Sequence, residues 1–221
     1  MKLPTPIPKG MFDVSFSFPQ GVEVHLVNPV HERAHWLALR QQDITSSDVG
    51  VLFESHPYKT LAQVMRAKLH GERDKPNAHM IHGRRYEYVT AARVAEERPD
   101  WEIHDYALYL RDPEFNLGTT LERVVLLPSD TVKALEIKTR AYSHWHAPWD
   151  WSNAPHPYAT LQVLVQSMLL GAAGGLVACE QRSGFGPGEF AIHEVPRRPG
   201  LERVIRQKAA AFKRRVEECR R

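Results

Sequence analysis

Two glutamates and a lysine have the types and spacing for chemistry on a phosphate ester. Glu136 and Lys138 lie two residues apart in a run typical of a β-strand, so they share one face of that strand. Glu122 lies at the start of the preceding predicted strand, which covers Gly118–Leu127. A hairpin around Pro128-Ser129-Asp130 would bring Glu122 to the same face.

This grouping predicts a site for a hard divalent cation. Two converging carboxylates repel each other unless a cation neutralises them, and Mg²⁺ is the common solution. A lysine beside the cation can orient a water molecule and help to deprotonate it, as metal-assisted phosphodiester hydrolysis requires. The alternative is an exposed Glu–Lys pair on an edge strand, and E-x-K taken alone favours that alternative.

Other polar residues add to the case. Arg40 precedes the cluster Thr45-Ser46-Ser47, and a guanidinium with hydroxyls and helix-start N–H groups is typical of a phosphate pocket. Glu87 shares a predicted helix with Gly83, a residue that there often allows another backbone to approach closely. Gln162 lies on a helix that follows the E-x-K strand and its loop.

The pattern along the chain predicts an α/β fold with a central mixed β-sheet flanked by helices. Residues 1–28 read as an extended N-terminal arm, and 29–221 as a single domain that ends in a basic helix. The predicted helices cover about 30–41, a segment capped by Thr60, 78–97, 158–170 and 201 onward. The predicted strands cover 12–18, 22–27, 101–104, 107–110, 118–127, 133–139, 175–180 and 189–195.

Composition excludes several classes of protein. The chain has 221 residues, of which 43% are hydrophobic and 25% charged, as expected for one globular domain. Cys179 and Cys219 are too few for a disulfide framework, a four-cysteine zinc site or a cysteine-ligated iron–sulfur cluster. No run approaches eighteen apolar residues, and the N-terminal MKLPTPIPKG lacks an apolar signal segment, so we expect a cytoplasmic protein without a membrane span.

Taken in order, the motifs resemble the lambda-exonuclease (YqaJ-like) branch of the PD-(D/E)XK nucleases, the phage recombination exonucleases. The resemblance runs from about Trp36 to Gly171. The matching residues are Trp36, Leu39, Arg40, Ile44, Thr45, Ser47 and Asp48; Gly83, Tyr86 and Glu87; Thr120-Leu121-Glu122-Arg123; Glu136-Ile137-Lys138; and Pro157, Tyr158 and Gln162-Val163.

The resemblance implies a role for each candidate site residue. Glu122 and Glu136 would bind Mg²⁺, or Mn²⁺ as a substitute, with the backbone carbonyl of Ile137. Lys138 would activate or position the attacking water. Glu87 would support a second metal or its water shell, and Gln162 would help to hold the nucleophile. A 5′-phosphate pocket would be formed by Arg40, Ser47 and Thr120.

The function implied is a Mg²⁺-dependent 5′–3′ double-strand DNA exonuclease that acts on 5′-phosphorylated duplex ends. Family members also suggest a homotrimer, a single-strand annealing recombinase as partner and, for a phage protein, the host cytoplasm. One alternative is another PD-(D/E)XK endonuclease, and a second is a catalytically attenuated DNA-end-binding protein. The second arises because Glu122 replaces the family's Asp; Leu121 also replaces the family's Pro. The spacing from Tyr158 to Gln162 is one residue longer than the commonest family pattern, a departure that bears on the role of Gln162.

Three further features leave alternatives open. The pairs His79/His82 and His144/His146 come without further ligands at zinc spacing, so we predict no structural zinc. Trp145, Trp149 and Trp151 could stack on a frayed base or pack as a loop core. The basic run from Arg203 to Arg221 fits a solvated helix face, a phosphate-tracking stripe or a subunit contact.

Overall fold

The computed structural model describes residues 18–71, 78–141, 150–182 and 188–221. The predicted strand over 12–18 falls almost wholly outside these ranges, as do Trp145, Trp149, His144 and His146. The strands are β1 (Glu23–Leu26), β2 (Ile44–Thr45), β3 (Glu102–His104), β4 (Leu108–Asp112), β5 (Leu117–Thr120), β6 (Arg123–Leu126), β7 (Val132–Ala141), β8 (Gly174–Arg182) and β9 (Glu189–Pro196). The helices are α1 (Arg33–Gln42), a 3₁₀ helix (Val49–Phe53), α2 (Leu61–His70), α3 (Ala78–Glu97), α4 (Pro157–Leu170) and α5 (Pro199–Arg220).

The larger sheet has the strand order β3-β6-β7-β8-β9, with β7 in its centre. β6 and β7 form the predicted hairpin, with Arg123 opposite Leu135 and Leu126 opposite Val132. β7 and β8 are parallel and are connected through α4, whereas the other strand pairs of this sheet are antiparallel. The mixed α/β architecture predicted from the sequence is therefore confirmed.

The smaller sheet has the order β1-β4-β5-β2, and it corrects one prediction. The strand expected over Gly118–Leu127 is two strands, because the chain leaves the smaller sheet after Thr120 and enters the larger one at Arg123. At the crossing, the Leu121 N–H donates to the Leu108 carbonyl at 3.1 Å. A proline, the family's usual residue there, could not make this bond.

The two faces of β7 pack against different helices. Ala134 packs in the cluster that contains α4, whereas Leu135 and Ile137 pack with Ala91 and Val94 of α3. The alternation follows the period of two in a strand, and it directs Glu136 and Lys138 toward α4. α4 is buried on nearly all sides, as expected for a helix that is apolar all round.

Local signals set several helix ends as predicted. Thr60 caps α2 through a capping box with Gln63, and α3 ends at Glu97 just before Arg98-Pro99. The close backbone approach expected at Gly83 is wrong for the part of the chain that the structure describes, since a Cβ there would meet no atom of another segment within 4 Å. Among the described residues, no helix has the length and apolar character needed to cross a membrane.

Candidate active site

Glu136 and Lys138 meet the buried helix α4. Glu136 is 0% exposed, and the Lys138 ammonium contacts its carboxylate directly. Lys138 Nζ also donates to Gln162 Oε1 at 3.0 Å. Burial lowers the pKa of Lys138, but the charge of Glu136 raises it more, so this pKa lies above its ordinary range. Lys138 thus donates hydrogen bonds to both Glu136 and Gln162.

Gln166 belongs to the same group, and the sequence reasoning missed it. Its Nε2 donates to Glu136 Oε2 at 2.6 Å, and the side chain is 0% exposed. Gln166 lies four residues after Gln162, so both amides project from one face of an otherwise apolar helix. That i, i+4 spacing of polar residues was the available signal.

Glu122 approaches Glu136 from the crossing between the two sheets. Its carboxylate accepts a hydrogen bond from the Ile137 N–H at 2.6 Å, where β7 extends past Arg123, the first residue of β6. Burial raises the pKa of Glu122 well above its usual value, and the charge of Glu136 raises it further. The structure thus brings Glu122, Glu136 and Lys138 together.

Glu87 reaches the same region from α3, and Arg123 binds it. Arg123 Nη1 lies 3.3 Å from Glu87 Oε1 and 3.3 Å from Asp105 Oδ2. Burial raises the pKa of Glu87, the Arg123 charge opposes this, and the charge of Glu136 adds to it. Three carboxylates therefore lie within one another's electrostatic field, and the sequence reasoning gave no role to Arg123.

The donor set fits a hard divalent cation. Carboxylate and carbonyl oxygens are the ligands of Mg²⁺, and here Glu122 and Glu136 repel each other in a poorly hydrated site. Within the described ranges, no three His, Cys, Asp or Glu side chains are grouped as metal ligands. The fit therefore rests on the two carboxylates, with the Ile137 carbonyl as the third ligand that the resemblance implies.

The predicted phosphate pocket is assembled from α1, the turn after β2 and the end of β5. Arg40 Nη2 donates to Ser47 Oγ at 3.2 Å and to Thr45 Oγ1 at 3.5 Å. The Arg40 guanidinium lies over the Trp36 ring at 4.6 Å, and Trp36 Nε1 donates to Thr120 Oγ1 at 2.8 Å. Arg40, Ser47 and Thr120 are thus brought together, with Trp36 between them.

An ion-pair network keeps this pocket basic. Asp48 lies 3.0 Å from Lys59 Nζ and 3.7 Å from Lys68 Nζ. Although burial raises the pKa of Asp48, the charges of Lys68, Lys59 and Arg40 outweigh it and hold that pKa well below its usual range. Asp43 also acts on Lys68, but it is paired with Arg111, so the pocket keeps an excess of positive charge. The adjoining cleft of about 190 Å³ includes these residues together with Arg33 and Arg84.

Ring contacts join the pocket to the carboxylate centre. His56 Nδ1 accepts hydrogen bonds from the backbone N–H groups of Tyr58 and Lys59, at 3.1 and 3.0 Å. The His56 ring lies 5.8 Å from that of Tyr158 at the start of α4, and Lys138 Nζ lies 5.4 Å from the Tyr158 ring. The two regions therefore share one wall.

The structure also bears on the alternatives left open for Trp151 and for the basic helix α5. Trp151 is 4% exposed and meets the Tyr158 ring edge-on, so it packs in the loop core. Several basic side chains of α5 bind the body of the domain: Arg206 pairs with Asp112, and Lys213 and Arg220 donate to backbone carbonyls.

A family comparison assigns the chain to a known family. The model of the YqaJ-like viral recombinase domain matches residues 35–172, more than half of the chain. The chain belongs to this family. The match includes every residue of the proposed metal centre and phosphate pocket. A comparison with curated proteins finds no significant match.

Solved structures show the same fold. The alkaline exonuclease LHK-Exo from Laribacter hongkongensis is 20% identical with a TM-score of 0.62, over 84% of this chain and 93% of that one. Its complex with dAMP gives a TM-score of 0.63. A SOX–DNA complex is 13% identical with a TM-score of 0.56, over 84% of this chain and 67% of that one. A KSHV SOX–RNA complex is also 13% identical, with a TM-score of 0.51, over 88% and 71% of the two chains. At these identities the likeness is one of fold.

Proposed function

We propose that this YqaJ-family protein is a Mg²⁺-dependent 5′–3′ double-strand DNA exonuclease that hydrolyses phosphodiesters from 5′-phosphorylated ends. The observation that carries the proposal is the Thr120-Leu121-Glu122 segment. Thr120 belongs to the basic pocket and Glu122 to the carboxylate centre, and two residues span at most about 7 Å. A terminal phosphate in the pocket would leave a neighbouring phosphodiester beside the carboxylates.

In this proposal, Glu122, Glu136 and the Ile137 carbonyl hold the metal ion. Bound Mg²⁺ would polarise a phosphoryl oxygen and lower the pKa of a water molecule. Lys138, held by Glu136 and Gln162, donates hydrogen bonds that position the attacking water. Gln162 therefore acts through Lys138.

Glu87 adds negative charge to the centre without contacting Lys138 in the described hydrogen bonds. Arg40, Ser47 and Thr120 receive the 5′-phosphate, because a guanidinium and hydroxyls form charge-assisted hydrogen bonds to phosphate oxygens. Nucleic acid as the ligand is supported by the similar folds crystallised with dAMP, DNA and RNA.

The proposed partner is a double-stranded DNA end. From the family resemblance we also propose a homotrimer that works with a single-strand annealing recombinase, in the cytoplasm of the host cell if the protein is phage-encoded. Size measurement in solution tests the trimer independently of activity.

Digestion of linear duplexes tests the proposed activity. Substrates with a 5′-phosphate or a 5′-hydroxyl, and a closed circle of the same sequence, are incubated with Mg²⁺ or with EDTA. We expect nucleotide release from linear DNA only, faster from phosphorylated ends and abolished by EDTA. Cutting of the circle would favour an endonuclease. Tight binding of phosphorylated ends without nucleotide release would favour an attenuated end-binding protein, the alternative suggested by Glu122.

A further inference from the structure

Arg123 is placed where it affects the number of metal ions that the centre can hold. Its Nη1 lies 3.3 Å from the Glu87 carboxylate and 3.3 Å from the Asp105 carboxylate, and it donates to the Glu122 carbonyl oxygen at 2.5 Å. The Arg123 side chain is only 12% exposed. Three oxygen-bearing groups therefore fix this guanidinium beside the proposed metal ligands.

A second divalent cation would need the carboxylate that Arg123 already binds. In two-metal sites the ions lie about 3.5–4 Å apart and share ligands. Arg123 Nη1 contacts both the Glu87 carboxylate and the Glu122 carbonyl oxygen, so Glu87 lies beside the proposed ligand Glu122. A second ion would therefore draw on Glu87.

The charge of Arg123 opposes such an ion. A guanidinium stays protonated at all working pH values and matches carboxylate geometry well. Since little solvent reaches it, its repulsion of a nearby divalent cation is weakly screened. Glu87 is thus neutralised without a metal.

We propose that Arg123 takes the place of a second cation, so that the centre holds a single divalent ion. The inference rests on the proposed function, because it requires that Glu122 and Glu136 bind a divalent cation. The Glu87–Arg123 pair then shapes the field around one metal ion and ligates none itself.

Counting bound Mn²⁺ in the full-length protein tests the inference without any activity measurement. Equilibrium dialysis gives the number of ions, and electron paramagnetic resonance detects the coupling between two ions that lie close together. The wild type and Arg123→Lys, which keeps the positive charge, should bind one ion with an uncoupled spectrum. Arg123→Ala and Arg123→Gln should bind a second ion, with a coupled spectrum, at Mn²⁺ concentrations at least about tenfold below any at which the wild type takes up a second ion.

A matched control is a substitution that breaks a different ion pair between a partly buried arginine and a glutamate. Arg93 is on α3, the helix that also carries Glu87, and its guanidinium lies 3.3 Å from the carboxylate of Glu180 on β8. Arg93→Ala should therefore still bind one ion. Two coupled ions in the wild type, or one ion in both Arg123→Ala and Arg123→Gln, would overturn the inference. Mn²⁺ binding that Glu136→Ala leaves unchanged would instead overturn the proposed metal centre, and the inference with it.

Discussion

The carboxylate centre and the phosphate pocket have opposite charge balances. In the centre, Glu87, Glu122 and Glu136 outnumber Lys138 and Arg123. In the pocket, Asp48 faces Arg40, Lys59 and Lys68, while Asp43, which also acts on Lys68, is paired with Arg111. The centre therefore favours an added cation and the pocket an added anion, which are what a divalent metal and a DNA 5′-phosphate would supply.

The two regions also differ in how they are built. The centre lies between an interior strand and a fully packed helix, where amide and ammonium groups hold Glu136 from both sides. The pocket is formed by a short helix, a turn and the end of β5, with Trp36 between its parts. We therefore expect substitutions in the centre to abolish chemistry, and substitutions in the pocket to change the choice of substrate.

The largest effect is expected at the carboxylate centre. Lys138→Ala and Glu136→Ala should each lower the rate of nucleotide release by at least about 10²–10³-fold, the scale of losing one transition-state stabiliser. Single-turnover digestion of a linear duplex measures the rate, with circular dichroism as the control for folding. Near-wild-type digestion by either variant would remove Glu136 and Lys138 from the mechanism.

A smaller, selective effect is expected in the pocket. Arg40→Ala should reduce the preference for 5′-phosphorylated over 5′-hydroxyl ends by about 10- to 100-fold, because it loses a charge-assisted hydrogen bond. Slow cutting of hydroxyl ends should persist, which provides an internal control. An unchanged preference would mean that Arg40 only holds Ser47 and Thr45 in place.

Glu122 gives a third and milder test, because its side chain is one methylene longer than the family's Asp. Mg²⁺ requires near-ideal geometry, so Mn²⁺ should support a faster rate than Mg²⁺ in the wild type. Glu122→Asp should raise the Mg²⁺-supported rate by roughly 2- to 10-fold, the range of relieving an off-rotamer side chain.

A metal titration of both proteins decides this point. If Glu122→Asp slows the reaction with both metals, the backbone has adapted to Glu, as the Leu121 hydrogen bond to Leu108 would allow. If Glu122→Ala matches the wild type, Glu122 is no metal ligand and the end-binding alternative gains.

The smallest effect concerns His56, on the wall shared by both regions. Burial lowers the pKa of His56 from its usual 6.5, and the charge of Lys59 lowers it further. The unfolded chain then binds more protons than the folded one below about pH 6.5, so stability falls as the pH drops. Thermal unfolding at pH 7.5 and 5.5 should show a smaller fall for His56→Gln than for the wild type, and an equal fall would contradict this.

Local patterns in the sequence were sufficient for the chemistry on β7. The period of two placed Glu136 and Lys138 on one face, and the Pro-Ser-Asp turn correctly predicted the β6–β7 hairpin. Both features depend on neighbouring residues only. The same holds for the Thr60 cap and for the end of α3 before Pro99.

The features that the sequence did not reveal depend on distant partners. The strand-like pattern of residues continues through Leu121 and Glu122, so the local sequence does not show that β5 ends at Thr120. Only the pairing of β5 with β4 and of β6 with β7 shows that the chain changes sheets there. Arg123 donates a hydrogen bond to Glu87, which lies 36 residues earlier on α3. No local pattern indicates this contact. The i, i+4 spacing from Gln162 could have indicated Gln166. A glutamine in an apolar helix does not by itself indicate a function, however, until its hydrogen-bond partner Glu136 is known.

The order in which labels leave a linear duplex tests most directly whether the two regions act together on one DNA end. A 5′-phosphorylated duplex carries one label in its 5′-terminal nucleotide and another at the 3′ end of the same strand, and is digested in Mg²⁺. If the two regions act together, the 5′ label leaves first, as a mononucleotide, and Arg40→Ala slows this release on phosphorylated ends but much less on hydroxyl ends. Release of the 3′ label first, or equal slowing on both kinds of end, would contradict joint action of the two regions.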